Sequence, residues 1–369
     1  MRSEVESRYF VEAAAKILDV LESFTSPEEE LSITEVARRT GSTYSSAFRL
    51  LYTLEKRGYV MRRPGKKRYV LTPARRRFRI GYAALATSRF HQEVTWQIGA
   101  AARRLAMVLL IRKNAEFNVA KALANADELL AEKIDLLIEY QYNETASHLI
   151  AAKCHAAGIP AIAINFAQPG AYYFGGNNYL TGELAGDFLC QFSRSKWNGR
   201  ADLCLVLPAK GLGSTQEARK AGLLDALRRG QHGQRPLEVL SAPPALSVNE
   251  GYAVTKKILR DLGHPKRLLI AALTDPLGIG AEKAIKEAGM EDQAVIIGQG
   301  GARDARARIL RGGPFRASVA FFPEAYGERV MLLAIQVLEG EKVSLASYTN
   351  HVVLTAENVS EYYQGGTDA

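Results

Sequence analysis

Residues 42–58, STYSSAFRLLYTLEKRG, set hydroxyls and one guanidinium at helical spacing. Wound as a helix that stops at Gly58, the segment puts Ala47, Leu50, Leu51 and Leu54 on one face and Ser42, Ser45, Arg49, Tyr52 and Lys56 on the other. Small side chains let a helix sit deep in a DNA major groove, where Ser, Thr and Arg reach base edges or phosphates. The helix start near Ser42 and Thr43 offers unpaired backbone N–H groups to a phosphate. The helical angle of Tyr44 leans toward the apolar side. Farther on, a PGKK turn and RYVLT place Lys66, Lys67 and Arg68 where they would hold a phosphate backbone without reading sequence. Charge agrees with that chemistry. Residues 38–77 carry 13 Lys and Arg against one acid, Glu55. Residues 78–369 are close to balanced, with 32 bases and 29 acids.

The elements that would position these groups are legible. FVEAAAKILDVLESF has an apolar stripe of Ala14, Ile17, Leu18 and Leu21, and the PEEE after it reads as a loop. Ser32 and Glu35 have the spacing of a capping box, opening a short helix that ends before Gly41. YVMRR and RYVLT, joined by PGKK, form a hairpin. Helix, short helix, turn, helix and hairpin is the order of a winged helix, predicted over residues 1–72. The stretches AAAKILDVLESF, LSITEVARRTGSTYSSAFRLLYTLEKRGYVMRR and KKRYVLT resemble the helix-turn-helix of IclR-type regulators. In that resemblance Ser45, Ser46 and Arg49 match the recognition helix, which implies sequence-specific binding to a duplex DNA operator. A winged helix used for protein contacts is the alternative.

Residues 73–77, PARRR, read as a linker. Beyond them, strands at 78–86, 106–112, 134–140, 159–164, 202–208, 237–241, 267–274, 294–299 and 316–322 alternate with helical stretches. Near-continuous apolar strands alternating with helices predict α/β architecture with parallel sheets covered on both faces. Such sheets bind ligands at the carboxyl ends of their strands.

Several stretches in this region, among them GGNNYLTGELAGDFL, STQEARKAGLLDAL, LLIAALTDPLGIGAEKAIKEAG, AVIIGQGG and RASVAFFPEAYGERVMLLAIQVLEGE, occur in an order that resembles type I periplasmic sugar-binding proteins and the effector domains of LacI-type repressors. The resemblance runs from about 78 to 355. It implies two lobes, an interlobe cleft and three crossovers, with lobe one at 78–176 and 323–345 and lobe two at 177–322 and 346–369. It also implies a set of cleft positions. Phe90 stands where an aromatic often stacks on a sugar ring, and Asn143 follows the third strand. Asn165 takes the place of an aspartate that binds sugar hydroxyls. Thr274 and Asp275 stand for Asn-Asp at a strand end. Four positions depart from the pattern: Phe166 and Glu217 for arginines, Gly300 for an aspartate and Phe321 for a polar residue. The implied ligand is a carbohydrate, with an aromatic or modified one as alternative; Phe166 and Phe321 have core packing as their competing role.

Other classes find less support. GLGST at 211–215 lacks the spacing of a phosphate loop, and no catalytic triad, carboxylate pair or metal cluster assembles from the sequence. No cofactor is expected. Cys154, Cys190 and Cys204 have no C-x-x-C spacing and read as free thiols. No apolar run reaches the ~18 residues of a membrane span, and the N-terminus lacks the apolar core of a secretory signal. The expectation is a cytoplasmic, ligand-responsive regulator. It would pair through its larger domain, with a ligand closing the cleft and the PARRR linker passing the change to the DNA-binding units. An effector domain that only dimerises is the alternative, followed by a sugar-processing enzyme.

Overall fold

The computed structural model describes residues 12–26, 29–63, 65–72, 78–85, 88–105, 107–114, 118–211, 213–230, 237–263, 265 and 267–363, apart from the side chains of 113 and 114. The expected linker, 73–77, lies outside the described residues. The chain divides into two compact units, Met1–Arg77 and Phe78–Ala369.

The first unit contains α1 (Glu12–Glu22), β1 (Leu31–Ser32), α2 (Ile33–Arg39), α3 (Tyr44–Lys56), β2 (Val60–Arg62) and β3 (Arg68–Leu71). The three strands form a sheet of order β1-β3-β2, with both pairs antiparallel. The capping box closes as its spacing predicts: Ser32 N–H donates to Glu35 Oε2 at 2.7 Å, and Glu35 N–H donates to Ser32 Oγ at 3.3 Å. Ala47, Leu51 and Leu54 of α3 enter the core. The stripe expected on α1 is rotated. Leu18 is 55% exposed and Ala14 is exposed, while Val20 and Phe24 are buried with Ile17 and Leu21 beside them. Ile17, Val20, Leu21 and Phe24 also satisfy i, i+3, i+4, i+7, so spacing alone does not fix the register.

The second unit has two sheets. One contains β4 (Arg79–Leu85), β5 (Val108–Asn114), β6 (Leu136–Glu139), β7 (Ala161–Ile164), β8 (Tyr172–Gly175) and β14 (Ala346–Tyr348), in the order β14-β8-β7-β6-β4-β5. The other contains β9 (Leu203–Leu207), β10 (Glu238–Ser241), β11 (Leu268–Ala272), β12 (Ala294–Gly300), β13 (Phe315–Ala320) and β15 (Val353–Leu354), in the order β10-β9-β11-β12-β13-β15. Every pairing is parallel except β13 with β15. In the central strands side-chain alternation divides a strand between two cores. Leu203, Leu205 and Leu207 of β9 enter one, and Cys204 and Val206 the other. The helices that cover these faces include α4 (Arg89–Arg104), α5 (Val119–Ala131), α6 (Glu144–Ala156), α7 (Asn178–Trp197) and α8 (Gly213–Gly230). They are followed by α9 (Val248–Leu262), α10 (Asp275–Glu287), α11 (Arg303–Arg311), α12 (Tyr326–Leu338) and α13 (Val359–Tyr362).

The nine expected strands are present. β8, β14 and β15 are additional, and β14 moves one lobe boundary. The sequence suggests that lobe two resumes at residue 346, yet Ala346, Ser347 and Tyr348 pair with Tyr173, Phe174 and Gly175 in the first sheet. The third crossover therefore falls between β14 and β15. His351 lies in it and joins all three crossovers. Its Nε2 accepts the Asn177 N–H at 2.9 Å, from the first crossover, and its Nδ1 lies 3.1 Å from the Ala320 carbonyl, at the second. Those two bonds together require the neutral imidazole with its proton on Nδ1. Burial holds the His351 pKa below its usual value of 6.5 and so favours that form.

His351→Ala leaves the half-buried Asn177 N–H without an acceptor, and the expected cost is about 1 kcal/mol of stability in the larger domain. Because the folded pKa is depressed, the contribution of this imidazole is present above pH 6.5 and declines as pH falls. Denaturant melts should therefore show a smaller difference between wild type and variant at pH 5 than at pH 7.5. An equal or larger difference at pH 5 would contradict this role.

Candidate functional site

On the first unit the candidate surface is the front of α3. Thr43 caps the helix, its Oγ1 accepting the Ser46 N–H at 3.2 Å, and the Ser42 and Thr40 hydroxyls lie 2.8 Å apart. Those contacts fix the turn before the helix and commit part of the hydrogen-bonding capacity of Ser42 and Thr43. Ser45, Arg49 and Lys56 are exposed, and Ser46 is half-buried. Tyr44 is 59% exposed, despite its lean toward the apolar side, and Tyr52 is 49% exposed. Phe48 is a residue that the two-face reading passes over. It is 45% exposed and its ring lies 6.3 Å from that of Tyr52.

The wing needs a correction. Arg62, Arg63, Lys66 and Lys67 line one depression around Gly65, a basic concavity suited to phosphate. Arg68, expected beside them as a backbone contact, is engaged within the domain. Its guanidinium donates to both Glu35 carboxylate oxygens at 3.0 and 2.9 Å and to the Glu30 carbonyl at 2.9 Å, tying the wing to the start of α2. Glu30 also pairs with Arg63 and Lys66, at 3.2 and 3.3 Å. The acidic PEEE segment thus tempers the basic field through Glu30. Arg49 and Lys67 have no ion pair among the described residues.

In the second unit the carboxyl ends of the strands meet in an aromatic cluster between the lobes. Tyr142 and Phe166, with ring centres 4.7 Å apart, both pack against the core of each lobe. Phe90, at the start of α4, lies edge-on to Phe321 at 6.4 Å and Tyr326 at 5.9 Å. The Tyr142 hydroxyl bonds His91 Nε2 at 2.8 Å, and burial lowers the His91 pKa to about 4. Polar contacts cross the cleft as well. Ser214 N–H donates to Glu144 Oε1 at 3.2 Å, the Thr215 hydroxyl reaches the Asn165 carbonyl at 3.5 Å, and Arg89 lies 3.8 Å from Asp304.

The expected polar ligand positions are largely committed inside the lobes. Asn165 adopts a left-handed conformation, with φ of 60°. Its Nδ2 donates to the Tyr140 hydroxyl and its Oδ1 accepts the Tyr326 hydroxyl proton, both at 2.8 Å. Asn143 caps α6, its Oδ1 accepting the Ala146 N–H at 2.9 Å. Asp275 is not offered to the cleft. It is fully buried, and its carboxylate accepts the Ser318 hydroxyl proton at 2.6 Å and the Ala302 N–H at 2.7 Å. Burial pushes its pKa up to about 6, against the opposing pull of those hydrogen bonds. Gly300 borders it at φ of 138°, and a Cβ there would lie 2.9 Å from Asp275 Oδ2, so both backbone and contact disfavour an aspartate at that position.

Thr274 remains half-buried, and its side chain makes no capping bond to α10. Glu217 is exposed. The arginine that turns inward is Arg219, two residues on. Its Nε donates to Asn178 Oδ1 at 2.9 Å and its NH1 to the Leu273 carbonyl at 2.8 Å, with the guanidinium 4.9 Å above the Phe321 ring. Phe321 is buried in this stack and packs beside His351 and Gly176, which gives it a hinge-packing position. Gly182 and Gly222 allow the close approach of α7 and α8 that carries Arg219 there, since a Cβ on either would meet the facing backbone.

The profile of the "Periplasmic binding protein domain" family matches residues 82–342, and that of the "IclR helix-turn-helix domain" matches residues 13–64. Among curated proteins, the ribose import binding protein RbsB of Salmonella typhimurium is 24% identical over 237 residues, covering 63% of this chain and 76% of the relative. Among solved structures, an ABC transporter solute binding protein from Mycobacterium smegmatis with bound glycerol superposes with a TM-score of 0.69 at 20% identity. The match covers 79% of this chain and 99% of that one. A periplasmic solute binding protein from Actinobacillus succinogenes with bound D-allose gives 0.67 at 18% identity, covering 78% of this chain and 100% of that one. At these identities the structural likeness establishes the two-lobed fold.

Asp275→Ala leaves the Ala302 N–H and the Ser318 hydroxyl without their acceptor, an expected loss of about 1–3 kcal/mol at pH 7. The folded pKa is raised, so the carboxyl stabilises more below its unfolded value of 3.8 and less as pH rises toward about 6. Thermal melts should show a larger penalty for the variant at pH 4 than at pH 7. A penalty that grows with pH would contradict this assignment.

Proposed function

Because the chain belongs to the periplasmic binding protein domain family and carries an IclR helix-turn-helix domain ahead of it, we propose that it is a ligand-responsive transcriptional regulator whose effector is a sugar or sugar derivative bound between the two lobes. The observation that carries this reading is the joining, in one chain, of an exposed polar and basic helix to a two-lobed domain of the kind that binds small molecules. The relative named for ribose import and the structural neighbour with bound D-allose suggest the ligand class. The aromatic faces of Phe90, Tyr142 and Phe166 supply surface for the apolar side of a sugar ring, and Thr274, Glu217 and the amide NH2 of Asn143 are the candidate polar partners from the resemblance.

Ser45, Arg49 and Tyr52, with Ser42, Thr43, Tyr44 and Ser46 at the head of the helix, face the operator. Lys66 and Lys67 hold its backbone. Two chains pair through their larger domains and present two winged helices to a two-fold-related site in the cytoplasm. A ligand that favours one lobe arrangement shifts DNA affinity by its differential affinity for the two arrangements. Both matched families describe binding domains, which supports a non-enzymatic role. Among the described residues no helix is long and apolar enough to cross a membrane.

A second reading has its own support. Tyr142 and Phe166 already bridge the lobes, and Asn165 and Asp275 are already bonded. Such a cleft suits an effector domain that dimerises without a ligand. A thermal-shift screen against pentoses, hexoses, sugar acids and aromatic glycosides separates the two. A true ligand at 100 times its Kd adds about 2.7 kcal/mol to the stability of the larger domain. No response across the panel at millimolar concentrations favours the ligand-free reading.

On the DNA side, Arg49→Ala should weaken the operator about 5- to 150-fold relative to random duplex, the discrimination of one base contact. Lys66→Ala with Lys67→Ala should weaken both equally and lower the salt slope by about 2. Filter binding at several salt concentrations checks this. Unchanged selectivity in Arg49→Ala would remove α3 as the reader.

A further inference from the structure

The front of α3 carries a stripe that its polar residues do not explain. Tyr44, Phe48 and Tyr52 recur at four-residue spacing, and all three are exposed. Lys56 continues the row, with its Nζ 5.5 Å from the Tyr52 ring centre. The core face of the same helix is sealed by Ala47, Leu51 and Leu54, so the domain does not need Phe48 for its own packing. The surroundings are cationic: Arg49 and Lys56 on the helix, and Arg62, Arg63, Lys66 and Lys67 in the wing depression. That charge suits nucleic acid and opposes a purely apolar partner surface.

We infer that Phe48 is a specificity-determining residue that reads thymine through the C5-methyl group in the operator's major groove. The inference rests on the DNA-binding reading above. The major-groove edges of A, G and C present hydrogen-bonding groups to the protein, and the thymine methyl is the apolar group among them. Tyr44 and Tyr52 each have a hydroxyl that satisfies a phosphate or a base edge. Phe48 has none, and its ring gains only where it removes apolar surface from water. Its place one turn before Tyr52, on the flank of the face that holds Ser45 and Arg49, puts it over a base neighbouring those they contact. The preferred operator therefore contains a thymine at a fixed step from the base read by Arg49.

The test begins with selection of an operator from random duplexes by the purified full-length chain. Each thymidine is then replaced in turn, in both half-sites, by deoxyuridine, which lacks only the C5-methyl. Wild type should lose about fourfold in affinity per lost methyl contact at one position of the half-site. Phe48→Ala should bind the thymidine operator more weakly by a similar factor and should not distinguish deoxyuridine there. Phe48→Leu, which keeps an apolar side chain, should retain the distinction even if the alanine variant melts early. Wild-type affinity that ignores every deoxyuridine replacement, or a Phe48→Ala variant that keeps the wild-type ratio, overturns the inference. Failure to select any sequence would instead overturn the DNA-binding reading, and this inference with it.

Discussion

One imidazole ties together the three passages of chain between the lobes. His351 accepts a backbone N–H from the first crossover, meets a backbone carbonyl at the second and belongs to the third. Movement of one lobe against the other must therefore pass through a point where two crossovers are hydrogen-bonded to a ring that the third carries. Phe321 packs on that ring, Arg219 lies over Phe321, and Phe90 reaches Phe321 edge-on from lobe one. The hinge and the aromatic lining of the cleft are thus one continuous packing unit. Phe90 rests on Phe321 directly, and Tyr142 and Phe166 connect to Phe90 through His91, so a group that enters among them would have a packed route from ligand to lobe angle.

The same continuity explains the shift from polar to aromatic residues in the cleft. Where the resemblance leads one to expect a ring of charged ligand groups, Asn165 is spent on Tyr140 and Tyr326, Asp275 on Ser318 and Ala302, and Arg219 on Asn178 and Leu273. Each would be costly to leave unsatisfied when buried, so each is held by groups of the same domain. On the proposed reading, recognition would rest on ring faces and on polar side chains left outside these networks, with half-buried Thr274 and exposed Glu217 as candidates.

Much of the fold is legible in the sequence because it depends on local pattern. The Ser32–Glu35 capping box is a spacing of three residues, and strands such as LLIAA are apolar throughout because both of their faces are covered. What escapes depends on partners far along the chain. β8, β14 and β15 are two to four residues each, too short to show a period. The link from His351 to Asn177 spans 174 residues, and nothing near either residue announces it. Residue chemistry misleads where burial decides. Asp275 and Arg68 have the groups of ligand and phosphate contacts, yet each meets its bonding partners inside its own unit. Phe48 goes unnoticed for the opposite reason, since it falls between the apolar and polar faces of α3 and only its exposure reveals it.

The central claim is that the interlobe ligand and the operator are energetically coupled. Equilibrium coupling is reciprocal: if the ligand changes operator affinity by some factor, saturating operator changes ligand affinity by the same factor. The direct measurement is calorimetric titration of a ligand found by thermal shift, into the chain alone and into the chain saturated with operator duplex. A change in ligand Kd of about 5- to 150-fold between the two titrations, matched by the change in operator Kd with ligand, is the predicted result. Equal ligand affinity with and without operator would contradict it.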